Sequence, residues 1–317
     1  MSAIKPWASF CMSTYNRPDF LKVQIETLLK QTFQDFEIVI ADNDINATGR
    51  PVADSFADPR IKYACNDENL GMVKSFNRSI ERAKGEFIVM VTDDDPVYEN
   101  MLDFFYNLHN KYPEFSLYCG IKRKKTASDE IELIKKDDIL SEILDPKRTI
   151  AIHWSSCLLK RETLVETGKL TDYRSGHLVD HIMIVLMGSK NGAVIVNKEF
   201  SAIQYHQENY SKTNINNYYL SCIGFYNTLT GYFKDKPNYK KKYPIIIQHL
   251  HHWFVVCFFS LRKFYALNNI DGRKEIKELD YFANKIMNEH FMRSCKPLYK
   301  IKKGIFFIKK KFGLLTL

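Results

Sequence analysis

Three aspartates, Asp93, Asp94 and Asp95, stand side by side in "VTDDDPVYEN", directly after the apolar run "FIVMV". Adjacent ionised carboxylates repel one another, so such a triplet needs a cation, a helix amino end or open water. A hard divalent ion such as Mg²⁺ or Mn²⁺ takes one or two carboxylates together with phosphate oxygens. In the helix reading Asp95 is an N-cap and Pro96 the first helical residue, leading into Met101, Phe105, Leu108 and Tyr112. The two readings are compatible, because Pro96 holds Asp95 extended at a strand end while a helix begins behind it.

The elements needed to position these acids follow from hydrophobic periodicity. "WASFCMS" reads as a strand, then a helix from about Asp19 carries Leu21, Ile25 and Leu28 on one face. "FEIVIAD" is a second strand ending in Asp42, Asn43 and Asp44, and "IKYA" a third. A helix over about Met72 to Ala83 precedes "FIVMV". This alternation predicts an α/β fold with a mostly parallel sheet. Ligands then bind beyond the carboxyl ends of the strands, where Thr14 to Pro18, Asp42 to Asp44 and Asp93 to Asp95 gather.

Between Cys119 and Thr149 the chain reads as a variable, charged loop with one short helix. "SSCLLKRETLVETG" reads as a strand running into a helix that stops at Gly168. In "LVDHIMIVLMGSKNG", Ile182, Val185, Leu186 and Ser189 share a helix face, with Asp180 at its start. From about Asn216 the alternation gives way to helices, so residues 1–215 and 216–317 form the two expected regions. His249, His251 and His252 do not share one helix face and fit no zinc spacing, which leaves them to packing.

Lys and Arg outnumber Asp and Glu by 46 to 37, which favours acidic partners such as nucleotide phosphates, nucleic acid or an anionic membrane. Seven scattered cysteines without a Cys-x-x-Cys pair indicate neither a zinc site nor a disulfide framework. With no signal-peptide pattern in the first twenty residues, the expected location is the cytoplasm. "PIIIQHLHHWFVVCFFSL" carries Gln248 and three histidines, so a buried or interfacial helix is expected there in preference to a bilayer span. The end of the chain, "YKIKKGIFFIKKKFGLLTL", interleaves lysines with large apolar residues, a composition suited to peripheral contact with the inner face of a cell membrane.

"STYNRPDFLKVQIETLLKQTFQDFEIVIADN" and "NDENLGMVKSFNRSIERAKGEFIVMVTDDD" resemble, in order and spacing, the nucleotide-sugar half of family 2 glycosyltransferases of the bacterial surface-polysaccharide type. The resemblance covers roughly residues 7 to 110, with weaker echoes to about 213. It implies the GT-A fold and a nucleotide-diphosphate sugar donor, most simply a UDP-sugar. It further implies that Thr14, Tyr15 and Arg17 lie at the nucleotide, with Tyr15 stacking on the base and Arg17 contacting a phosphate or loop. Asp42 would accept from the base's ring N–H, while Asn69 and Lys74 lie near the nucleotide. Asp93 would lie near ribose and metal, Asp94 in the variable middle position, and Asp95 on an Mn²⁺ or Mg²⁺ ion assisted by His206 of "QYHQENYSKT".

The same resemblance makes Asp180 the general base of an inverting transfer to a lipid-linked or polysaccharide hydroxyl. The family often has Glu-Asp there, whereas this chain has Val179-Asp180. That missing acid supports an alternative, a catalytically silent nucleotide-sugar or glycan-binding module. The net charge of +9 by itself suggests a nucleic-acid-binding protein, but the lysines accompany no nucleic-acid motif, so no nucleic-acid partner is expected. Phosphate-loop, dinucleotide-binding and serine-elbow motifs are absent, which excludes three other enzyme classes.

Overall fold

The computed structural model of the protein describes residues 5–123, 127–148, 153–202, 204, 214–267, 274–312 and 314. The chain divides into two compact units, Met1–His206 and Gln207–Leu317. In the first, the order is β1 (Ala8–Thr14), α1 (Pro18–Leu29), β2 (Phe36–Asp42), α2 (Arg50–Ser55), β3 (Ile61–Cys65), α3 (Met72–Arg82), β4 (Phe87–Val91) and α4 (Met101–Lys111). Then come β5 (Leu117–Gly120), β6 (Ile131–Ile134), α5 (Ile139–Leu144), β7 (Cys157–Lys160), α6 (Arg161–Glu166), α7 (Val179–Asn191) and β8 (Ala193–Val196).

These strands form one sheet in the order β3-β2-β1-β4-β7-β5-β8-β6. β3, β2, β1 and β4 are parallel neighbours, as are β5 and β8, whereas β7 and β6 run antiparallel to theirs. All of β2 and β4 is buried, which is why both read as near-continuous apolar runs rather than alternating ones. Helices cover the sheet: α1 turns Leu21, Gln24, Ile25 and Leu28 inward, and α3 turns Val73, Phe76 and Ile80 inward. Pro18 opens α1 at a position where no N–H is needed. Gly71 opens α3 at φ +76°, a conformation that side-chain-bearing residues rarely adopt, and the Asn69 side chain accepts the Gly71 N–H at 3.0 Å.

The register brings the polar strand ends together. Thr14 pairs with Asp42 across β1 and β2, and Met12 pairs with Val91 across β1 and β4. Two residues beyond each of those partners, Thr14 and Asp93 therefore stand abreast.

Three expectations change. Asp95 is not a helix cap, because α4 begins at Met101 with Asn100 in the cap position. Residues 96–98 instead pair with 200–202: Ala202 N–H donates to Pro96 O at 3.0 Å, Tyr98 N–H to Phe200 O at 2.8 Å, and Val97 bridges Ser201. That pairing supplies hydrogen bonds which a helix starting at Pro96 would have had to forgo. The charged middle segment also contains strand β6, and β8 follows α7 directly. β6 escaped the periodicity reading because only Ile134 of its four residues is fully buried. Helix α7 is buried nearly all round from Ile182 to Gly188, so its single apolar face was too narrow a description.

The second unit contains α8 (Asn216–Phe233), α9 (Tyr239–Leu267), α10 (Lys274–Asn288), a 3₁₀ turn (His290–Cys295) and α11 (Lys296–Lys311). By length and composition alone α9 could cross a membrane. Its Ile246, Leu250, Phe254 and Phe258 are nevertheless buried within the unit, and Arg262 is fully enclosed. His249 stacks on Phe225, and the His251 ring bonds to Phe291 O at 2.8 Å, as packing histidines do.

Candidate functional site at the carboxyl ends of the strands

Gln24 fixes the acid triplet from beneath. Its amide donates to Thr92 O at 3.0 Å and to Asp95 O at 2.9 Å, so one buried helix side chain brackets the triplet's backbone. Thr14 Oγ1 donates to Asp93 Oδ2 at 2.9 Å, and Arg17 Nη1 donates to Asp93 Oδ1 at 2.8 Å and Asp94 Oδ2 at 3.1 Å. Arg17 also lies over the Phe20 ring at 4.5 Å, which holds the guanidinium against the start of α1. Arg17 thus meets two acids of the loop after β4 directly.

The three acids divide by environment. Burial lifts the Asp93 carboxyl to about 6, against the opposing pull of Arg17. Burial also raises Asp95, and the Gln204 N–H, donating to Asp95 Oδ1 at 3.0 Å, offsets part of that rise. Asp93 and Asp94 are ion-paired to Arg17, whereas Asp95 has no ion pair among the described residues.

Among the described residues no group of three His, Cys, Asp or Glu side chains could hold a metal by itself. Oxygen donors concentrated on one edge, with Asp95 outside the Arg17 pairing, do fit Mn²⁺ or Mg²⁺, which complete their shells with phosphate oxygens and water. His206, the other expected ligand, lies outside the described residues.

Asp42 is fully buried, with Oδ1 accepting the Asp44 N–H at 2.9 Å and Oδ2 accepting the Gly49 N–H at 3.0 Å and the Tyr63 hydroxyl. Its carboxylate holds the turn from Asp44 to Gly49 and the Tyr63 hydroxyl of β3. Asn43 ties that loop to the next one, donating to Asn69 Oδ1 at 2.7 Å and accepting the Leu70 N–H at 2.9 Å. The Asn69 side-chain oxygen thereby serves both Asn43 and Gly71. Tyr15 is 53% exposed, leaving a ring face open for stacking. Lys74 is exposed, with Nζ 3.8 Å from Asp172.

Asp180 is the second residue of α7, and its Oδ1 accepts the His181 N–H at 2.9 Å. A helix amino end lowers a carboxylate's pKa, yet here burial wins and lifts Asp180 to about 6. His181 is held down to about 4 by burial and by His153, so at neutral pH it gives Asp180 no compensating charge. His153, just before the 3₁₀ turn Trp154–Ser156, opposes a small part of the burial-driven rise of both Asp95 and Asp180. The sequence reading missed Gln24 and His153. For Gln24 a signal existed, a polar residue at a core position between Leu21 and Leu28; a lone histidine offered none.

The glycosyl transferase family 2 profile matches residues 9–178, ending two residues before Asp180. Across 277 residues the chain is 22% identical to the Campylobacter jejuni GalNAc(5)-diNAcBac-PP-undecaprenol beta-1,3-glucosyltransferase, over 77% of this chain and 88% of that one. Curated glycosyltransferases of Methanocaldococcus jannaschii and Streptococcus pneumoniae are 36% and 33% identical over 95 and 100 residues, and in each the match spans only 33% of their length. Among solved structures, S. aureus TarS 1-349 with UDP-GlcNAc superposes at TM-score 0.56, 16% identity, 93% of this chain and 92% of that one. The Pyrobaculum calidifontis mannosyltransferase PcManGT, in complex with GDP-Man and Mn²⁺, superposes at 0.55, 15% identity, 95% and 87%. The sheet, its flanking helices and these neighbours make the fold GT-A, and the chain belongs to glycosyl transferase family 2.

Proposed function

We propose that the protein is an inverting glycosyltransferase that moves a sugar from a nucleotide-diphosphate donor, a UDP-sugar in the simplest case, to a hydroxyl of a lipid-linked or polysaccharide acceptor. The observation that carries the proposal is the acid triplet at the carboxyl ends of the strands, where Thr14 and Arg17 hold Asp93 and Arg17 holds Asp94 while Asp95 stays outside the Arg17 pairing. The relatives support the acceptor class, since the C. jejuni protein is named for an undecaprenol-linked substrate. TarS with UDP-GlcNAc and PcManGT with GDP-Man and Mn²⁺ support the donor and cation.

Tyr15 offers its open ring to the base, and Arg17 holds Asp93 and Asp94 so that the triplet keeps its shape when a charged donor enters. Asp95, with His206 as second ligand, would hold the divalent cation, which when bound supplies neutralisation of the diphosphate's charge. Asp180 accepts the proton of the acceptor hydroxyl as that oxygen bonds to the anomeric carbon. The bond from anomeric carbon to diphosphate oxygen breaks in the same displacement, inverting the centre and releasing the nucleoside diphosphate. A base near 6 is ionised at neutral pH yet basic enough to take that proton. On this reading the reaction would run in the cytoplasm, at the inner face of a membrane carrying the acceptor lipid.

Incubation with UDP-GlcNAc, UDP-glucose, UDP-galactose and GDP-mannose in Mn²⁺, with released nucleoside diphosphate measured, tests the reading. Slow hydrolysis of one donor, abolished in Asp180→Asn, is expected. Donor binding without any release, with acceptors supplied, would make the chain a binding module.

A further inference from the structure

Helix α11 has two apolar faces, and only one of them is used within its own unit. Tyr299 and Phe306, seven residues apart, are buried: Tyr299 stacks near Phe254 at 5.4 Å and Phe259 at 5.2 Å, and Phe306 lies 6.4 Å from Phe259. Lys303 Nζ binds Asp280 Oδ1 at 2.8 Å, and the enclosed Arg262 pairs with the same carboxylate. The helix is thereby fastened to α9 and α10.

The second face holds Leu298, Ile301, Ile305, Ile308 and Phe312, spaced three and four apart and 46–66% exposed. At about 100° per residue these five fall on one narrow stripe, well away from Tyr299 and Phe306. Seven of the sixteen exposed large apolar side chains in the described chain lie between Leu298 and Leu314, so its exposed apolar surface is concentrated on this helix. The same periodicity sets Lys302 and Lys309 along one border of the stripe and Lys300 and Lys311 beyond the other. No acid occurs from Lys296 to the last residue, Leu317.

We propose that α11 docks the chain on an anionic lipid surface, with the Leu298 to Phe312 stripe entering the headgroup boundary and the bordering lysines meeting lipid phosphates. Charge complementarity selects this occupant. A second copy of the helix would bring lysine border against lysine border, and a nucleic acid would take the lysines but leave the isoleucines in water. An anionic bilayer satisfies both features at once. The proposal stands on the second unit alone and does not depend on the catalytic reading.

The test uses the full chain and sedimentation with vesicles of phosphatidylcholine, alone or mixed with phosphatidylglycerol. The wild type binds the mixed vesicles at least about tenfold more tightly than the neutral ones, and added salt weakens that binding. Ile301→Ser with Ile305→Ser and Ile308→Ser abolishes binding, and Lys302→Gln with Lys309→Gln and Lys311→Gln removes the preference for anionic lipid, both with unchanged helical circular dichroism. Wild-type failure to bind the mixed vesicles would overturn the proposal, as would undiminished binding by the serine variant. A dimer in solution that the serine variant dissociates would assign the stripe to a second copy. Asp95→Asn binds vesicles like the wild type, so this test and that of the catalytic site fail separately.

Discussion

Arg17, on the loop after β1, donates to Asp93 at 2.8 Å, joining two strand ends 76 residues apart in sequence. Asp93 is almost wholly buried, so the guanidinium is what makes a carboxylate tolerable there. Arg17→Gln strands that charge and is expected to cost about 3 kcal/mol in urea unfolding at neutral pH. Adding Asp93→Asn to Arg17→Gln returns a large part of the loss, because no buried charge is then left unpaired. Additive losses in the double variant would show that the two residues act separately.

Gln24 satisfies two carbonyls of the triplet with one amide. Gln24→Leu keeps the volume but leaves both oxygens without that donor, at a cost of about 1–3 kcal/mol. Affinity for UDP with Mn²⁺ should fall with it, since the Asp95 backbone loses its bracket; calorimetric titration checks this. Unchanged affinity would mean that the pairing of residues 96–98 with 200–202 suffices to hold the triplet.

Asp180 sets the acid side of the pH profile. A base lifted to about 6 is protonated below that value, so kcat/KM should be flat near neutrality and fall about tenfold per pH unit below 6. The sign for stability is opposite. The folded chain holds this proton more tightly than the unfolded chain, so the group's contribution to stability declines as pH rises from the ordinary carboxylate range through 6. Asp180→Asn is therefore expected to lose turnover, retain donor binding and gain on the order of 1–2 kcal/mol at neutral pH. Normal turnover in this variant would place the base elsewhere.

Burial raises both Asp95 and Asp180, and His153 opposes part of that rise. Removing the imidazole in His153→Gln leaves Asp180 harder to ionise, so the acid limb of the profile should move to higher pH. A role confined to packing would lower the plateau without moving the limb.

Much of the sheet was legible because buried parallel strands are apolar throughout and their helices carry a 3.6-residue period, as Leu21, Ile25 and Leu28 show. β6 was hidden by its half-exposed residues, and β8 by standing directly behind a helix of the same apolar character. At the site, residue types told where polar groups gather but not which way they face. Asp42 reads as a ligand-facing acid, and two loop N–H groups and the Tyr63 hydroxyl of β3 also bind its carboxylate. Asp95 followed by Pro96 reads as a helix start, yet residues 200–202, more than a hundred residues later, take up the backbone of 96–98. Such long-range partners leave no local trace.

The most direct test of the account is calorimetric titration of UDP into the full chain, with Mn²⁺ or with EDTA, for wild type and Asp95→Asn. The account predicts binding with Mn²⁺ that weakens at least about tenfold, or about 1.4 kcal/mol, in EDTA and equally in the variant with Mn²⁺ present. Equal affinity under all these conditions would contradict a cation held at Asp95 and with it the proposed role of the triplet.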